Sequence, residues 1–286
     1  MNSGGIADRF CVSDRWVRRI GDTPLCAAGA NLRFRWKTGL QPAGWLRGSS
    51  DHFEKGYLKM TILTPREIAG MIDISAVKHD STLDELRAAA ELAKKHSCIC
   101  VFGLPAHTPL LVELLADRPD ILVGGAVSFP SGGQTTPVKV IETKELIEMG
   151  CMEIDVALNI AWVKGGLLDL VRADIEAVVE AAGTAPVKVI LECHWLTDEE
   201  IVTVCDICAE AGVRFVKTGT GWAPTGATRE NIALMRKTVG ERCSVKAAGG
   251  VKDLQTLMEL YELGARRFGI GVRTAEAILR EAAEQS

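Results

Sequence analysis

From Met71 onwards the chain alternates between short runs rich in β-branched and aliphatic residues and longer amphipathic stretches, and it does so eight times. The strand candidates are 71–74, 98–102, 122–127, 152–157, 187–192, 215–218, 244–247 and 267–270. Helical periodicity is legible over 82–95, 167–182, 198–211, 229–239, 253–263 and 274–284. Capping residues mark the helix starts: Thr64 before Pro65, Ser81/Thr82 before Asp84-Glu85, Thr197 before three acidic residues, and Thr228 before Glu230. Gly212 and Gly264 stand where helices end. Strict β–α alternation favours parallel strands with crossover helices, and eight such units favour closure into a barrel over a doubly wound sheet. The expected class is therefore α/β, a single (β/α)8 TIM barrel with an N-terminal extension.

The chain has 286 residues, 47% of them hydrophobic, enough for one large core of this kind. Residues 1–59 differ in character, with ten Lys/Arg against five Asp/Glu and no sustained periodicity. They read as an extension, disordered or non-native, preceding a barrel over 60–286 that has a natural start at Met60. Arg18-Arg19 lacks the long apolar run of an export signal, because Asp22 interrupts it. A net charge of -4 gives no electrostatic basis for binding nucleic acid or an anionic membrane, and no apolar run approaches a membrane span. The nine cysteines fall mostly within apolar patterns and read as reduced, buried thiols, which points to the cytoplasm. Cys205 and Cys208 have metal-like spacing but no second pair, so no metal is expected.

In such a barrel the chemistry sits at the C-terminal ends of the strands. Four consecutive strand candidates close on ionisable residues: Asp155, Glu192, Lys217 and Lys246. Period-two alternation puts Glu192 on a face with Ile190 and Lys188, Lys217 with Phe215, and Lys246 with Ser244. Asp73 on the first strand adds a fifth candidate. In a low-dielectric interior these groups must pair or shift, with Asp155 and Glu192 offsetting the two ammonium groups. Two neighbouring lysines depress each other's pKa, and a neutral amine near pH 7 is a nucleophile for carbonyl carbon. Two readings follow from the residues: a Schiff-base site, or a buried salt-bridge layer without catalysis. Glycines follow both lysines and the last strand: Gly219 and Gly221, Gly249 and Gly250, Gly269 and Gly271, with Arg273 opening the final helix. Such loops are the usual place for an anionic ligand group in this architecture.

Four stretches carry a resemblance to one family. They are Glu153-Ile-Asp-Val-Ala-Leu-Asn159, Lys188-Val-Ile-Leu-Glu-Cys193, Phe215-Val-Lys-Thr-Gly-Thr-Gly221 and Val245-Lys-Ala-Ala-Gly-Gly250. Over roughly residues 65–284 the chain resembles the deoxyribose-phosphate aldolases. The resemblance implies a class I lyase that cleaves 2-deoxy-D-ribose 5-phosphate to acetaldehyde and D-glyceraldehyde 3-phosphate without a cofactor. It implies Lys217 as the Schiff-base lysine, Lys246 as the neighbour that lowers its pKa, and Asp155 as the proton relay. Substrate and phosphate contacts are expected from Gly221, Gly249, Gly250, Gly269, Gly271, Arg273 and Asp73. The chain departs from the family pattern at Gly219, where a serine is usual, and at Gly271-Val272, where the phosphate loop usually carries two serines. These departures keep open a related Schiff-base aldolase acting on a non-phosphorylated or carboxylate-bearing aldehyde, and a non-catalytic barrel that binds sugar phosphate. The partners expected are a small phosphorylated sugar or related aldehyde and, as an open option, further copies of the chain as a homo-oligomer.

Overall fold

The computed structural model describes residues 63–285. The readings for residues 1–59 and for a start at Met60 lie outside the described residues. Eight parallel strands close a barrel in sequence order: β1 (Ile72–Ala76), β2 (Cys100–Gly103), β3 (Leu122–Val127), β4 (Glu153–Ala157), β5 (Val187–Ile190), β6 (Phe215–Lys217), β7 (Ser244–Ala248) and β8 (Ala265–Gly271). Closure is made by β8 pairing with β1, from Ile72↔Phe268 to Ser75↔Gly271. The surrounding helices are α1 (Pro65–Ala69), α2 (Leu83–His96), α3 (Thr108–Leu114), α4 (Thr136–Met149), α5 (Ile160–Lys164), α6 (Leu168–Ala182), α7 (Asp198–Glu210), α8 (Arg229–Val239), α9 (Leu254–Glu262) and α10 (Val272–Glu284). No described helix is long and apolar enough to cross a membrane.

The local signals behave as their chemistry requires. Thr64 and Thr197 each close a reciprocal capping box, with Glu67 and Glu200, and the Thr82 and Thr228 side chains accept from the third backbone N–H of their helices. Gly264 follows α9 with a φ of 111°, a conformation that a side chain would strain. Strand residues that face the helices are aliphatic and almost completely buried: Ile72, Ile74, Val101, Ile154, Val189, Val216 and Val245 are all 0% exposed. This outer layer, between sheet and helices, is the hydrophobic core.

Helix α4 has no apolar stripe to announce it. Its buried positions include Lys139, Thr143 and Leu146, whereas Val138 and Ile141 are exposed. Lys139 is tolerated inside because its Nζ donates to Asp174 Oδ2 on α6 at 2.6 Å and to the Ala157 carbonyl at 3.0 Å. A buried ion pair thus stands where apolar contact is usual. Strand β5 ends at Ile190, short of the expected Glu192, because Glu192 adopts a left-handed backbone conformation with φ 53°. The seven cysteines among the described residues are all free and buried, and burial pushes the Cys205 and Cys208 thiols well up.

Candidate active site

The inner face of the barrel carries charge where the outer face carries aliphatic side chains. Each of six strands contributes: Asp73 from β1, Glu153 and Asp155 from β4, Lys188 from β5, Lys217 from β6, Lys246 from β7 and Arg267 from β8. All seven residues are at most 7% exposed. Lys217 and Lys246 are register partners on adjacent strands, which aims their side chains at the same region. Both amines donate to one oxygen, Asp155 Oδ2, at 2.8 Å and 2.7 Å. The other carboxylate oxygen, Oδ1, accepts from Lys188 Nζ at 3.0 Å. The Phe102 ring faces these amines, its centroid 4.5 Å from Lys246 Nζ, 4.9 Å from Lys188 Nζ and 6.0 Å from Lys217 Nζ. That ring occupies the space in which a side chain at position 124 would sit, so Gly124 is required there.

The electrostatics separate the lysines. Burial, followed by the positive charges of Lys246 and Lys188, lowers the Lys217 amine from 10.5 to about 8, against the opposing pull of Asp155. Lys188 moves the other way: burial disfavours its charge, but Asp155, Glu153 and Asp73 outweigh burial and raise its pKa. Asp155 is held well below the usual carboxylate range, because Lys188, Lys217 and Lys246 together overcome the cost of burying its charge. The site therefore combines one amine that is free in part near neutrality with a carboxylate that stays ionised beside it.

A cavity of about 240 Å³ opens above this cluster at the C-terminal end of the strands. Lys217 and Asp155 reach it from below, and Gly221, Gly249, Gly250, Gly269 and Gly271 line it. Close backbone approach explains part of the glycine pattern: a side chain at Gly226 would overlap the Gly249 carbonyl, which accepts from the Ala227 N–H. Phe129 and Trp222 form an aromatic edge to the cavity, with centroids 6.1 Å apart. Trp222 Nε1 also donates to the Val77 carbonyl at 3.2 Å, bridging the loop after β6 to the loop after β1.

Several expected residues lie elsewhere. Lys246 and Asp73 are below the cavity, wholly buried in the ionic layer, and neither lines it. Arg273 is exposed and does not line the cavity; Thr274 does. The reason is helical phase. The last helix begins at Val272, two residues earlier than the sequence pattern suggests, so position 273 is already on the turn and points away. Glu192 does not offset the lysines. Its carboxylate accepts from the Thr220 N–H at 3.2 Å and from the Thr220 hydroxyl, holding the loop that follows Lys217. A side chain at Gly219 would meet that carboxylate at 2.6 Å. The partner of Lys246 besides Asp155 is Asp73, whose Oδ2 lies 2.5 Å from Lys246 Nζ.

Glu153, Arg267, Phe102, Lys78 and Thr274 were not singled out from the sequence. Mid-strand charges such as Glu153 and Arg267 look solvated unless the outer face is known to be covered by helices. Lys78 lines the cavity from the loop after β1 and, with Lys217, supplies its positive side chains. Asp73, Cys100 and Glu153 place potential metal-ligand atoms within 4.8 Å of one another, but the two carboxylates already pair with Arg267 and with lysines. A dication there would meet cations on several sides, so the donor set does not suit one.

Comparison with known proteins places the chain in a family. The family model described as DeoC/LacD family aldolase matches residues 71–278. The chain is 44% identical over 229 residues to a deoxyribose-phosphate aldolase from Klebsiella pneumoniae, covering 79% of this chain and 92% of that protein. It is 45% identical over 221 residues to a deoxyribose-phosphate aldolase from Sinorhizobium medicae, covering 77% and 89%. A crystal structure of a putative deoxyribose-phosphate aldolase from Coccidioides immitis superposes with a TM-score of 0.73 at 29% identity, covering 79% of this chain and 91% of that one.

Proposed function

Because this chain belongs to the DeoC/LacD family of aldolases, we propose that it is a class I lyase acting on 2-deoxy-D-ribose 5-phosphate, with Lys217 as the Schiff-base nucleophile. The observation that carries the reading is the Lys217 amine, lowered to about 8 at the floor of a cavity and 2.8 Å from an ionised carboxylate. The chemistry follows from that pair. The free amine attacks the aldehyde carbon C1 of the open-chain sugar and forms a carbinolamine. Loss of water, with the proton passed through Asp155, gives an iminium. The C3 hydroxyl then gives up its proton and becomes a carbonyl. The C2–C3 bond breaks, and its electron pair moves to C2 and on to the iminium nitrogen, leaving an enamine. D-Glyceraldehyde 3-phosphate departs. Protonation of the enamine at C2 and addition of water at C1 release acetaldehyde and regenerate the amine. Asp155 suits the transfers that begin or end at the nitrogen, because it already contacts Lys217 Nζ, and it also lines the cavity proposed to hold the sugar.

The far end of the cavity suits the phosphate tail. Backbone of Gly249, Gly250, Gly269 and Gly271 approaches without side chains, Thr274 offers a hydroxyl, and Lys78 supplies positive charge at the rim. Gly271 and Val272 offer no hydroxyls of their own. This favours a second reading for the tail site alone, in which a non-phosphorylated aldehyde is also accepted. A cytoplasmic location and assembly into a homo-oligomer belong to the same proposal. The test is reduction with borohydride in the presence of 2-deoxyribose 5-phosphate, read by peptide mass. The expected result is one adduct on Lys217, absent in Lys217→Ala. An adduct on Lys246 would reverse the roles of the two lysines, and no adduct at all would remove the Schiff-base mechanism.

A further inference from the structure

The ionisable side chains beneath the cavity form a closed ring. Arg267 Nε donates to Asp73 Oδ1 at 2.5 Å. Asp73 Oδ2 lies 2.5 Å from Lys246 Nζ. Lys246 Nζ donates to Asp155 Oδ2 at 2.7 Å, and Asp155 Oδ1 accepts from Lys188 Nζ at 3.0 Å. Lys188 Nζ lies 2.6 Å from Glu153 Oε1, and Arg267 Nη2 donates to that same oxygen at 2.6 Å, which closes the circuit. Cation and anion alternate at every step. In their ordinary ionised forms the ring members are three cations and three anions, and the charges cancel.

Lys217 stands outside this circuit. Its ion pair is with Asp155 Oδ2, an oxygen that Lys246 already uses. It has no carboxylate of its own, and at 7% exposure little water replaces one. A proton on Lys217 would make a buried layer of seven groups net positive, and an uncompensated buried charge is costly. We propose that the neutral ring sets the protonation of Lys217 by making its ammonium the surplus charge, and that Arg267 and Glu153, which do not line the cavity, are positioning residues that keep the ring balanced. This rests on the reading of Lys217 as the nucleophile.

The remaining strands and loops do not upset the count. The β2 thiol of Cys100 is pushed well up by burial and by Glu153 and Asp73, so it stays neutral. Strand β3 carries no titratable residue. Beyond β5, the Glu192 carboxylate makes its contacts to Thr220 and lies outside the ion pairs of the ring and of Lys217, and Lys78 sits at the exposed rim.

The ring predicts shifts of opposite sign from two residues that never touch substrate. Arg267→Met leaves the ring one negative charge in excess, so Lys217 becomes the balancing cation and its titration moves to higher pH. Glu153→Gln leaves an excess positive charge and moves it to lower pH. Each shift is expected to be up to about one pH unit, because both groups reach Lys217 only through intervening members of the ring. The double variant Arg267→Met/Glu153→Gln restores two cations and two anions and returns the titration towards its original position. Arg267→Lys keeps the charge and leaves it unmoved.

The probe is acetaldehyde with cyanoborohydride across a pH series, with adduct on Lys217 quantified by peptide mass and thermal unfolding recorded for every variant. Opposite shifts, reversed in the double variant, support the ring. Shifts of the same sign, or equal loss at every pH with the limb unmoved, overturn it and leave Arg267 and Glu153 as bracing only. If one single variant does not fold, the other decides: a shift of the stated sign that the double variant reverses supports the ring, and an unmoved limb or a shift of the opposite sign overturns it. Absence of any Lys217 adduct in the unaltered chain would instead refute the proposed function, so the two failures are distinct.

Discussion

Replacing Lys246 with methionine tests how the site makes an amine reactive. At pH 7 a lysine titrating at about 8 is free in roughly one molecule in ten, whereas one at 10.5 is free in roughly one in three thousand. Burial is the first cause of that difference, and it survives the substitution. The charge of Lys246 does not survive. Both amines contact Asp155 Oδ2, so the two nitrogens can be no farther apart than those two contacts together, about 5.5 Å. At that separation and an effective dielectric of about 20, the repulsion is about 3 kcal/mol, or roughly two pH units, and relaxation of the site reduces it. Lys246→Met is therefore expected to raise the Lys217 titration by about one to two units and to cut free amine at pH 7 by about 10- to 100-fold. The sign follows from losing a like charge while Asp155 stays. The assay is kcat/KM for 2-deoxyribose 5-phosphate across a pH series, beside reductive trapping at each pH. The deficit is expected to narrow steadily towards alkaline pH. A deficit of the same size at every pH would refute the electrostatic argument and leave Lys246 as a proton carrier or a packing group.

Three further outcomes are expected. Asp174→Ala leaves the Lys139 ammonium buried with only the Ala157 carbonyl and is expected to cost about 3–5 kcal/mol in chemical denaturation, much of which Lys139→Met/Asp174→Leu recovers. Lys78→Ala is expected to raise KM for the phosphorylated aldehyde roughly tenfold with little effect on a non-phosphorylated analogue, because it removes a rim charge and leaves Lys217 untouched; equal effects on both would place phosphate elsewhere. A chain beginning at Met60 is expected to keep its thermal midpoint and its aldolase activity, since the preceding residues have no apolar periodicity to bury; a fall of several degrees would count against that.

Much of the barrel was legible because its signals are local. Strand β3 and helix α8 fall on their expected boundaries, and the threonine caps act where the sequence places them. Lys217, Lys246 and Asp155 were legible because alternation and a strand-end position together fix both the face and the end of the barrel. Alternation fails where the backbone leaves the strand, which is why Glu192, at φ 53°, turned to Thr220 instead of the lysines. It also says nothing of phase at a helix start, so Arg273 and Thr274 exchanged places at the cavity. Lys139 hid a whole helix, since a buried ammonium breaks the apolar stripe by which a helix is found. The ionic ring is a property of six strands at once, and no single window of sequence contains it.

That ring is a poor way to stabilise a barrel. Buried ion pairs can often be replaced by well-packed apolar side chains with no loss of stability, because attraction between the charges mainly offsets the cost of taking them out of water. Lys217 adds a further cost. Its pKa in the folded chain, about 8, lies below the ordinary value of 10.5, so between those two pH values the unfolded chain binds more protons than the folded one. Folding is penalised by this residue at and below pH 8, and the penalty lifts as pH rises towards 10.5. The aliphatic outer face, from Ile72 on β1 to Val245 on β7, must carry that cost. The division of labour is written in the period-two alternation of the strands: one face holds the barrel together, and the other spends part of that stability to keep an amine short of its proton.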